Sequence, residues 1–179
     1  ARRLTTDIYP SNFLWTPTIV EGGGWRRGGH ARAYALPNVG VRKWSKGLRH
    51  DEESHYHALE YLRDRGGDAA LEPGDHPFFL CVSYHHPHEP FHVTQELWDL
   101  YEGEEIAIPE YPEGMEKTYS LMDRWLNEMH GCDRIDIRQP GSLRALRRSY
   151  YGLVTYIDRK VGELMETLEQ QGLLDSTIV

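Results

Sequence analysis

The chain has 179 residues, about the length of one ordinary domain, with 39% hydrophobic and 27% charged residues, a globular composition. Its 20 Lys and Arg against 28 Asp and Glu leave a net charge of −8, which argues against a nucleic-acid partner because phosphate backbones demand clustered cations. No apolar run approaches the roughly 20 residues that cross a bilayer. The two cysteines, Cys81 and Cys132, form no C-x-x-C pair, which excludes a disulfide scaffold and a zinc finger.

Residues 1–50 are rich in Gly, Arg, Trp and Pro without a sustained period and read as an irregular surface segment. Asp51 to Arg65 predicts a helix: acidic residues open it, His55, Ala58, Leu59 and Leu62 share a face, and Gly66-Gly67 closes it. Pro77 to Tyr84 is a short continuous apolar run after turn residues, the pattern of a buried parallel strand, with Cys81 as a small buried member. Short helices are expected at Gln95–Tyr101 and Ser120–Met129, among the prolines and glycines of 102–141. After Pro140-Gly141, the residues Leu146, Tyr150, Leu153, Ile157, Val161, Leu164 and Leu168 recur every three or four positions, one stripe of a long amphipathic helix ending at Gly172. The β-branched Thr177-Ile178-Val179 then reads as a strand beginning, half of a parallel crossover unit. The fold class is α/β.

The chain opens on Ala1 with no hydrophobic signal core and closes inside the expected strand. The expectation is an interior piece of a larger protein, cut at both ends and folding marginally alone because sheet edges are left unpaired.

The densest polar group, His85-His86-Pro87-His88-Glu89-Pro90, directly follows the expected strand, and ligands in parallel α/β sheets bind beyond the carboxyl ends of strands. Two readings stand for its histidines: a metal site, or loop histidines that satisfy backbone groups. Gly22 to Gly29 is glycine-rich and basic but lacks a preceding strand and a Gly-Lys-Ser/Thr, so it reads as a flexible loop. Glu102, Glu104 and Glu105 read as a solvated face, and Arg144, Arg147 and Arg148 as partners of acidic neighbours.

The run Pro77 to Phe91, an apolar strand leading into a P-H-x-P turn, resembles the sulfatase family. So does Ser149 to Leu164 with its continuation Leu173 to Val179. Arg3 to Pro17 and Leu97 to Tyr101 resemble the choline sulfatases within that family. The matches occur in the family's order over nearly the whole chain. The resemblance implies part of an alkaline-phosphatase-like α/β/α sandwich with a mostly parallel sheet. Residues 1–179 would then be the interior of a single catalytic domain, with 1–50 on the substrate side and 51–179 supplying the α/β elements. It implies hydrolysis of a small-molecule sulfate ester by a formylglycine made from Cys or Ser in a C/S-x-P-x-R motif, beside a calcium ion held by carboxylates. The P-H-x-P histidine, His88 here, would help the leaving oxygen depart as a general acid.

No C/S-x-P-x-R motif occurs in the 179 residues, so nucleophile and calcium ligands are expected outside them and this segment alone is expected to be inactive. Trp15 falls where choline sulfatases hold the trimethylammonium group against an aromatic face; the alternative is an aromatic packed on Pro17. Leu36 to Gly40 keeps Asn38 and Gly40 of a substrate-side stretch but has Pro37 in place of its histidine. A phosphonate or phosphodiester hydrolase of the same superfamily, or a non-catalytic binding module, is the alternative function. Compartment and oligomeric state have no signal.

Overall fold

A computed structural model describes residues 19–20, 24–25, 39–66, 77–110, 112–130 and 140–179, giving backbone alone for 19–20, 24–25, 128–130 and 140. Strands β1 (Ile19–Val20) and β2 (Gly24–Trp25) pair antiparallel, with Ile19 opposite Trp25. Strands β3 (Gly40–Val41) and β4 (His92–Val93) pair parallel, with Gly40 opposite His92. The helices are α1 (Lys46–Gly66), α2 (Gln95–Asp99), α3 (Leu121–His130) and α4 (Pro140–Gln170). Two 3-10 turns, Met115–Thr118 and Leu174–Ser176, complete the described elements. Helices with a parallel strand pair bear out the α/β class.

The described residues fall into two compact units, and α4 contributes to each. The first holds Trp44–His86 and Val154–Val179. Helix α1 starts five residues before the expected Asp51, because the Ser45 hydroxyl accepts the Leu48 N–H at 3.1 Å and caps the free end. Asp51 is therefore not an opening acid but an interior residue of the helix, fully buried with Ser54, His55, Ala58 and Leu62. The C-terminal stretch of α4 buries Tyr156, Thr167 and Leu168. It ends where Gly172 turns to φ +67°. The Leu173 N–H returns to the Leu168 carbonyl and the Gly172 N–H to the Glu169 carbonyl, both at 2.9 Å, the double bond of a Schellman cap.

The second unit holds the described residues up to Lys43 with Pro87–Leu153. The β3–β4 pair is extended by bonds from Gly40 N–H to the Phe91 carbonyl and from Arg42 N–H to the Val93 carbonyl. Thr94 caps α2, and Val93, Leu97, Ile106, Ser149 and Leu153 are buried. Gly152 of α4 lies against β4 and α2: a Cβ there would stand 2.7 Å from Val93 Cγ2 and 3.2 Å from the Leu97 carbonyl oxygen. Ser120 and Asp123 exchange bonds at the start of α3, the Ser120 hydroxyl accepting from the Asp123 N–H and the Asp123 carboxylate from the Ser120 N–H. The Ser120 hydroxyl, donating to the Asp123 carboxylate at 2.7 Å, and then the Ser120 N–H hold that carboxyl below its ordinary value.

Several expectations are corrected. Pro77–Tyr84 carries no strand: its residues alternate between exposed and half-buried, the period of a strand, but none of the described residues supplies the ladder bonds. Cys81 is accordingly exposed, not buried. Thr177–Val179 likewise forms no strand, and Ile178 and Val179 are exposed. On α4 the expected stripe is displaced: Tyr150 and Val161 are exposed while Ser149, Gly152, Tyr156 and Thr167 are buried. Among the described residues, Arg147 and Arg148 have no acidic partner and make other contacts. Arg147 donates to the Tyr151 hydroxyl at 2.9 Å, and Arg148 donates to the Trp98 carbonyl at 2.8 Å with its guanidinium 4.4 Å from the Trp98 ring centre.

Candidate active site

Within the first unit a line of polar side chains runs along one face of α1. The Asp51 carboxylate, with no solvent exposure, accepts the backbone N–H of His85 at 2.6 Å and that of His86 at 3.0 Å. It also accepts the His86 ring at Nδ1 (2.5 Å) and lies 3.2 Å from His50 Nδ1. Burial pushes the Asp51 carboxyl up, but the hydrogen bonds from the His86 ring, the two backbone N–H groups and the His50 ring outweigh it and hold the group below its ordinary value. The His86 ring meets Tyr156 and His85 edge-on, at centroid distances of 5.6 and 5.7 Å.

One turn along α1, His55 is buried between two partners, Tyr84 Oη on Nδ1 and Glu163 Oε2 on Nε2, each at 2.8 Å. A carboxylate only accepts, so Nε2–H donates to Glu163 and, in the neutral ring, Nδ1 accepts the Tyr84 proton. Burial, then the charges of Asp51, Glu163 and Glu52, push the Tyr84 hydroxyl up to about 12. Tyr156 donates to Glu52 at 2.8 Å, and burial together with that carboxylate raises its hydroxyl strongly. Lys160 closes the line, 3.2 Å from Glu52 and 3.5 Å from Glu163. For Glu163, burial raises the carboxyl, while the bonds from His55 and Lys160 bring it below the ordinary range.

His88 belongs to the second unit. Its side chain is half exposed, and Nδ1 donates to the Glu89 carbonyl at 2.8 Å and lies 3.3 Å from the Glu89 carboxylate. The Glu89–Pro90 peptide is cis. With Nδ1 donating its hydrogen to that carbonyl, Nε2 is the acceptor nitrogen of the neutral ring. A half-exposed imidazole with one nitrogen fixed on its own turn can act as a proton donor or acceptor.

Of the expected site residues, only His88 can be placed; Trp15 and Asn38 lie outside the described residues. Among the described residues no three His, Cys, Asp or Glu side chains converge on a common point. A calcium ion, which takes six to eight oxygen ligands, does not fit them. Asp51, Glu52, Tyr156, Lys160 and Glu163 are the residues that motif reading passed over. Their signal is spacing, Asp51 and His55 four apart on α1 and Tyr156, Lys160 and Glu163 one helical face of α4.

A sequence model described as Sulfatase matches residues 9–179. The chain belongs to the sulfatase family. Sulfatase domains are part of the alkaline-phosphatase-like superfamily, in keeping with the α/β elements, and the family generally uses formylglycine and a divalent metal. The chain is similar to the choline-sulfatase of Rhizobium meliloti (strain 1021), 32% identical over 184 residues that take in 99% of this chain and 34% of the relative. It is similar to the iduronate 2-sulfatase of Homo sapiens, 31% identical over 84% of this chain and 28% of the relative. The arylsulfatase of Clostridium perfringens (strain 13 / Type A) is 31% identical over 68% of this chain and 23% of its own length. The chain thus spans about a third or less of these sulfatases. Among the described residues, no helix is long and apolar enough to cross a membrane.

Proposed function

We propose that the protein carrying this chain is a sulfuric ester hydrolase and that His88 delivers the proton to the departing alcohol oxygen. The observation that carries this reading is the His88 ring anchored through Nδ1 on the Glu89 carbonyl, inside a P-H-x-P turn of a sulfatase chain. Hydrolysis breaks the sulfur–oxygen bond to the alcohol and joins a water oxygen to sulfur. The alcohol oxygen must gain a proton as it leaves, and protonated Nε2 of His88 is suited to give it. Choline sulfate is the proposed substrate, since the similarity to a choline-sulfatase covers nearly the whole chain. Trp15, by cation–π attraction to a trimethylammonium group, and Asn38 are the proposed substrate contacts. Calcium is the proposed metal, its ligands outside the described residues.

The test is turnover of choline sulfate and of an aryl sulfate by the full-length protein, with and without His88→Ala. Loss of about 10²-fold or more in turnover with an unchanged melting temperature supports the role of His88. Unchanged turnover removes His88 from the reaction. An aryl phosphonate cleaved faster than either sulfate overturns the sulfatase assignment in favour of a phosphonate hydrolase.

A further inference from the structure

Asp51 is an unusual use of a helix interior. Its carboxylate is wholly buried, yet it is satisfied by residues 34 and 35 positions away in the chain: the backbone N–H groups of His85 and His86 and the His86 ring. A buried carboxylate left without partners costs several kcal/mol, so this side chain is stable only while those two residues stay where they are. One turn earlier on the same face, Gly47 is shaped to the same pair. A Cβ at Gly47 would stand 2.7 Å from His85 Cδ2 and 3.0 Å from His86 Cε1. Two independent features of α1, an acceptor and a missing side chain, thus fit His85 and His86.

We propose that Asp51 is a positioning residue for the histidine turn: its carboxylate fixes His85 and His86 and, through the Pro87 peptide, restricts the chain that carries His88. The proposal rests on the role given to His88 above. The restriction follows from covalent geometry. Proline locks its own φ near −65° and keeps the residue before it out of the helical region. With the His86 backbone and ring held, few torsions remain between the anchor and His88. A misplacement of about 1 Å at a reacting group can cost about 10²-fold in rate, so an anchor of this kind acts on turnover more than on substrate affinity.

The experiment is a kinetic cycle in the full-length protein with choline sulfate and an aryl sulfate, using Asp51→Asn, Gly47→Ala, His88→Ala and both double variants. Asp51→Asn retains one acceptor oxygen and turns an amide against N–H donors; Gly47→Ala crowds the His85 and His86 rings without touching the carboxylate. Asp51→Asn and Gly47→Ala are each expected to lower kcat about 10-fold with KM within about 3-fold, and to have no further effect in the His88→Ala background. If Asp51→Asn fails to fold, Gly47→Ala carries the same test. Unchanged kcat, or the same fold-loss with and without His88, overturns the positioning role while leaving His88 in place. A silent His88→Ala instead overturns the reading on which the proposal rests.

Discussion

The substitution Asp51→Asn is also the sharpest probe of what holds the first unit together. The carboxylate receives N–H donors at 2.5, 2.6 and 3.0 Å and a fourth at 3.2 Å, in a site closed to solvent. An amide of the same shape offers one oxygen, so about two of these bonds are lost and their donors face an NH2 group. Hydrogen bonds to a charged group contribute about 1.5–3 kcal/mol each, and an unpaired buried donor costs about 1–3. A loss of about 3–5 kcal/mol is expected, in line with breaking a buried pair. In urea unfolding followed by far-UV circular dichroism, with a slope of about 2 kcal/mol/M, the midpoint falls by about 2 M. The effect has a defined pH window. The folded-state pKa of Asp51 lies below its ordinary value. Its contribution is therefore fully present above the unfolded value of about 4 and is lost as pH falls through the folded one. The gap between the two proteins should hold steady from about pH 7 down to 5 and narrow below about 4. A midpoint shift under about 0.3 M, or a gap that widens in acid, refutes the account of Asp51 as a stabilised buried carboxylate.

Gly152→Ala should destabilise by about 1–3 kcal/mol, the cost of overpacking, because its Cβ would meet Val93 Cγ2 at 2.7 Å and the Leu97 carbonyl at 3.2 Å. A raised melting temperature, the usual result of replacing glycine in a helix, would show that the α4–β4 contact is looser than described. Tyr84→Phe should flatten the alkaline arm of the stability curve. The Tyr84 hydroxyl is raised to about 12 in the fold, so its contribution is complete below the unfolded value of about 10 and is lost as pH climbs toward 12. Equal slopes for both proteins between those values would dissociate Tyr84 from the network.

The helices were legible because their signals are local. Apolar spacing and Gly172 mark α4, and Thr94, Ser120 and Ser45 are caps of the ordinary kind, with Ser45 starting α1 five residues ahead of the acidic run at Asp51. The strands were misread for a reason that local pattern cannot repair. Pro77 to Tyr84 has a strand's composition and even its alternating exposure, but a strand exists through bonds to another segment, and the described residues lend it none. The buried face of α4 departs from its apolar stripe because it includes Ser149, Gly152, Tyr156 and Thr167, which hydropathy does not mark. A stripe of polar residues that satisfy one another across 29 to 108 positions leaves no trace in hydropathy.

The histidine-rich stretch shows the same limit at the level of chemistry. Its three histidines read as one cluster, and their side chains have different work. His85 is held by its backbone N–H on Asp51, and His86 is buried with its ring committed to the same carboxylate. His88 is the member with a half-exposed ring, anchored on its own turn. A metal reading requires three nitrogens to point at one place, and a ring whose Nδ1 donates to a buried carboxylate presents only its other edge. What sets the His86 ring apart from its neighbours is therefore the aspartate 35 residues earlier, which takes both its backbone N–H and its Nδ1. Asp51 thus ties the start of the turn to α1 through two backbone N–H groups and one imidazole ring.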